Sequence, residues 1–66
     1  MTEKDLEILM EIAISDYEIA RKNKNNNIMS YNTGMITAYN QISIISGFEI
    51  QVDYIRELGK HKIIHK

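Results

Sequence analysis

Between Lys24 and Glu49 the chain runs for twenty-four residues, NNNIMSYNTGMITAYNQISIISGF, without one charged side chain, while both flanks are densely charged. Few structures suit such a gap. A membrane span needs about 20 predominantly apolar residues in a row, and Asn32, Asn40, Gln41 and several hydroxyls interrupt this run. A flexible linker would lack periodicity, yet Tyr31, Gly34, Met35, Ala38, Ile42 and Ile45 recur at helical spacing. An uncharged helix with apolar residues on several sides is covered on more than one side. The stretch therefore reads as a short asparagine loop and a central helix over about 30–46. Ser30 would cap it, and Gly47 with Phe48 would close it as a glycine C-cap with its hydrophobic contact. Gly34 and Ala38, four residues apart, predict close packing against another backbone.

The preceding segment predicts a helix over about 3–23. Thr2 and Asp5 approximate a capping box, acidic residues crowd the first turn, and Arg21, Lys22 and Lys24 sit at the far end, each where the helix dipole favours that charge. Asn23 and Asn25 to Asn27 stop it. Leu6, Leu9, Met10, Ala13, Tyr17 and Ala20 form its main apolar stripe, which matches the stripe of the second helix at a constant offset. A short loop between them makes an antiparallel helical hairpin. Ile8, Ile12 and Ile19 form a second stripe, rotated away from the first, that needs a further surface to cover it.

The third segment, FEIQVDYI, alternates apolar and polar residues as a strand does, but Phe48, Val52, Ile55 and Leu58 also fit a helix that Gly59 could end. No other segment of the chain alternates, so a strand would have no partner. A short third helix over about 50–58 is expected, with 60–66 as a basic tail. The fold class is thus all-α, one domain over 1–66.

A chain of 66 residues buries only about 60% of its unfolded surface and is marginally stable alone. With no cysteine, disulfides and thiolate zinc sites are excluded, and association is the remaining source of stability. A homo-oligomeric bundle is expected, its interface formed by Ile8, Ile12, Ile19, Ile36, Tyr39 and Ile44. Of the tyrosines, Tyr17 and Tyr31 lie on the main stripes and read as core, while Tyr39 and Tyr54 read as interface residues.

Signals for chemistry are few. His61 and His65 are four apart, a spacing that on a helix could share a metal, but no carboxylate or cysteine nearby completes a site, so no metal and no cofactor is expected. Ser15 beside Asp16 lacks a histidine at any predictable distance, and no phosphate-binding glycine motif occurs. The chain reads as a non-enzyme. Glu3, Glu7, Glu11 and Glu18 share one side of the first helix, either as a surface for a basic partner or as a solvated face. Arg56, Lys60, Lys62 and Lys66 could lie across them, within one chain or between two.

A small helix-turn-helix-like DNA-binding protein is the alternative reading, but the net charge of −1 and a central helix without lysine or arginine weigh against nucleic acid. The leading expectation is a non-catalytic protein–protein interaction module. The isoleucine-, asparagine- and lysine-rich composition of an AT-rich genome suggests a small bacterial or phage regulator. Its N-terminal residues, MTEKDLE, lack the positive region that begins a secretory signal, so a cytoplasmic location is expected.

Overall fold

The computed structural model describes residues 1–66. The chain forms α1 (Glu3–Lys22), α2 (Asn26–Ser46), β1 (Ile50–Ile55) and β2 (Lys60–His65) in that order. This is an α+β arrangement of two helices and a two-stranded antiparallel sheet. The expected all-α helical hairpin with a third helix is overturned: 50–58 holds a strand and a turn, and 60–66, expected as a tail, supplies the strand's partner.

Local chemistry explains each boundary. The Thr2 hydroxyl accepts the Asp5 N–H at 3.1 Å, and the Asp5 carboxylate accepts the Thr2 N–H at 3.2 Å, a complete capping box. At the other end the Lys24 N–H donates to the Arg21 carbonyl and the Asn25 N–H to the Ala20 carbonyl, the paired bonds of a Schellman turn. Lys24 takes the left-handed position of that turn, with φ +53°. Asn25 then serves twice, because its side-chain oxygen accepts the Ile28 N–H and starts α2. The second helix thus begins four residues before Ser30, and the asparagine run is its first turn, not a loop. It ends as expected: Gly47 has φ +73°, Phe48 N–H donates to the Ser43 carbonyl, and the Phe48 ring packs against the core.

β1 and β2 pair from Ile50–His65 to Ile55–Lys60, joined by a turn whose Gly59 has φ +66°. The Lys66 N–H donates to the Glu49 carbonyl, which fixes the phase of the ladder. Gln51, Asp53 and Ile55 point their backbone groups toward β2. Those of Ile50, Val52 and Tyr54 point outward on one edge, and those of His61, Ile63 and His65 outward on the other. On the β1 edge, α2 supplies the missing partners. The Asn40 amide accepts the Val52 N–H at 2.8 Å and donates to the Val52 carbonyl at 3.0 Å, and the Ser43 hydroxyl donates to the Ile50 carbonyl.

The sheet lies across one side of the antiparallel helix pair, β1 against α2 and β2 against α1. Leu6, Met10 and Ala13 of α1, Ile36 of α2, and Ile50 and Val52 of β1 make the core. The face of α2 that points inward carries Asn32, Ile36 and Ser43, so it is rotated from the expected stripe. Tyr31, Gly34, Ala38 and Ile45 of that stripe are exposed. Tyr31, expected in the core, is 63% exposed.

Candidate interaction surface

The helix pair has two long sides, and the sheet covers one. On the other, α1 and α2 leave a groove floored by Ala13, Ala20 and Asn32. Two depressions lie along it. One, of about 400 Å³, is bounded by Ile19, Ile28 and the asparagines of the interhelix turn. The other, of about 200 Å³, is bounded by Ile12, Met35 and Tyr39. Asp16, Tyr31 and Asn32 line both and form the saddle between them. Ile8, Ile12, Ile19 and Ile28 are all exposed on this molecule.

The six residues expected at an interface divide. Ile8, Ile12 and Ile19 lie on the sheet-free side of α1, and Tyr39 lines the lower depression. Ile36 is only 5% exposed and belongs to the molecule's own core, out of reach of a partner. Ile44 is exposed but stands nine residues from Met35, on the opposite side of α2 at about 100° per residue. Gly34 and Ala38 are exposed, and a Cβ built on Gly34 would meet nothing within 4 Å, so no backbone of this chain packs closely there. Asp16, Asn32, Ile28 and Met35 were not expected at an interface from the sequence. For Asp16 there was a signal, since it falls between Ile12 and Ile19 on the second stripe.

The four glutamates of α1 lie along the seam where β2 and the helix meet. Glu3 accepts the Glu49 N–H at 2.9 Å. Glu7 lies 3.9 Å from the His65 imidazole. Glu11 shares a shallow depression with Lys60 and Lys62, and Glu18 pairs with Arg21 at 3.0 Å. β2 therefore lies along these glutamates within one chain, though the ion pairs join them only to His65 and Arg21 and not to Lys60, Lys62 or Lys66. At one end of the seam His61 is held edge-on between Tyr17 and Tyr54, ring centroids 4.6 and 5.1 Å away. Burial pushes its imidazole below the ordinary pKa, partly offset by the Glu18 carboxylate. Neither His61 Nδ1 nor Glu18 Oε1 has a hydrogen-bond partner. Ser15 borders the same depression as His61 without a hydrogen bond to it. His61 and His65 share the inner face of a strand, four residues and roughly 13 Å apart, too far to bind one ion. No three histidine or acidic side chains converge as metal ligands. No helix is long and apolar enough to cross a membrane. No protein-family model, curated protein or solved structure matches the chain.

Proposed function

We propose that this protein is a non-catalytic protein-interaction module, a small bacterial or phage regulator acting in the cytoplasm, and that it meets protein through the sheet-free side of its helix pair. One observation carries the reading: a continuous groove with exposed isoleucines along its rim, on a chain whose own sheet covers only the opposite side. Contiguous exposed apolar surface with a polar rim is characteristic of protein-binding sites. A second copy of the chain is one occupant, which would make the protein the homo-oligomer its length favours. The helix-turn-helix reading has less to support it, because a β-hairpin stands where the third helix would be.

The test is solution mass by light scattering over a dilution series, for the native chain and for Ile12→Lys with Ile19→Lys. Assembly in the first and monomer in the second, with helicity kept, supports the face as an interface between copies. If mass and all protein binding are unchanged by the double substitution, the face is not the contact surface and the proposal fails.

A further inference from the structure

The chemistry of the saddle identifies an occupant more closely, on the premise that the sheet-free side binds protein. Asp16 is exposed and takes no part in the chain's ion pairs, which join Glu18 to Arg21 and Glu7 to His65. Asn32 is 4% exposed; its Nδ2 donates to the Ile28 carbonyl at 3.0 Å, which leaves its Oδ1 as an acceptor with no partner in the chain. Tyr31 presents an exposed ring beside them. The saddle thus offers a carboxylate, an amide oxygen and an aromatic face, with no cation of its own. α2 carries no charge at all, and the one charged residue of α1 that lines either depression, Asp16, is acidic.

Such a site selects a cationic side chain. A guanidinium fits best: it is planar, weakly hydrated, able to bond the carboxylate and amide oxygen together and to stack on the ring. The aliphatic side chains of the depressions on either side, Ile19 and Ile28 in one and Ile12 and Met35 in the other, call for apolar residues about one helical turn before and after that cation, the spacing of a helix laid in a groove. A second copy of this chain fits the saddle poorly, since the only charged side chain its matching groove brings is another Asp16, and like charges brought together at an interface are disfavoured. We propose that the sheet-free groove binds an amphipathic helix of another protein, with an arginine or lysine seated on Asp16, Asn32 and Tyr31 between two apolar anchors.

The experiment is selection from a displayed library of amphipathic helices, apolar at positions three and four to either side of a central position that is fully randomised. The native chain and Asp16→Lys serve as targets, the variant first checked for native helicity. The native chain should enrich arginine or lysine at the centre by more than about tenfold, and Asp16→Lys should enrich aspartate or glutamate instead. The best peptide should lose about tenfold in affinity for Asp16→Asn, an effect of about 1.4 kcal/mol. The same central residues on both targets, or no central preference, would overturn the cationic helix. A native dimer that Ile12→Lys with Ile19→Lys splits, together with no enrichment, would assign the groove to a second copy and leave the preceding proposal standing. A native monomer that enriches nothing would remove both.

Discussion

The two long sides of the helix pair are built from similar residues and treated differently. On the sheet side, aliphatic side chains are buried together with polar ones, and those of α2 that face the strand edge bond its backbone. Asn40 and Ser43 complete the backbone of β1. On the sheet-free side, isoleucines of the same kind stand in solvent around an unpaired aspartate. Burial of apolar surface stabilises a fold only where something covers it. In a chain this small, the side left bare contributes little to its own folding, and its residues are free to serve recognition.

That contrast can be broken most sharply by truncating one residue on each side. Leu6→Ala, at a fully buried position, should cost about 2–5 kcal/mol, enough to unfold much of a marginal domain in a thermal melt. Ile19→Ala should stay within about 0.5 kcal/mol if the molecule is alone in solution. A comparable loss at Ile19 would mean that the bare side is covered by another copy.

Next in size is Asn40→Ala. It strips the Val52 N–H and carbonyl of their partners and should cost about 1–3 kcal/mol, with the Val52 amide gaining the largest increase in hydrogen exchange. If Val52 exchange is unchanged, α2 does not hold the edge of β1. Lys24 belongs to neither side, at the left-handed turn between the helices, so Lys24→Gly should raise stability by about 0.5–1 kcal/mol in urea unfolding without touching the groove. A destabilised variant would mean the Lys24 side chain contributes more than its backbone strain costs.

The smallest effect concerns the seam. Because the folded His61 titrates below 6.5, the unfolded chain binds the proton more readily, so stability is full above about pH 6.5 and falls as pH drops toward the lower folded value. Replacing His61 with Gln should flatten that part of the stability profile. An unchanged slope would place the titration elsewhere.

How far the sequence can be read depended on which partner each residue needed. α1 was legible end to end, because its caps and its stripe are local. The close of α2 at Gly47 and Phe48 was legible for the same reason. The start of α2 was not: Asn25 closes one helix and caps the next, and an asparagine run looks like a loop when each residue is given a single role. The inward face of α2 was hidden because it is partly polar, its Asn40 and Ser43 chosen to bond a strand edge that only the tertiary fold supplies. The strand pair was missed at β2. His61, Ile63 and His65 do alternate inward, but the alternation is invisible on a hydropathy scale. The imidazoles are placed by Tyr17, Tyr54 and Glu7, none of them near in sequence. Of the groove, the isoleucine stripe was legible, while its aspartate and its buried amide were not.

The unequal edges of the hairpin set a limit on growth. Much of the outward backbone of β1 is already engaged by α2, so another strand can be added only beside β2. Two molecules joined there would present occupied edges at both ends, and the enlarged sheet would stop at four strands. The lysines at positions 60 and 62 discourage even that step, as charges on edge strands generally do. A small, marginal chain rich in β-branched residues thus carries its own chain terminator against fibre formation.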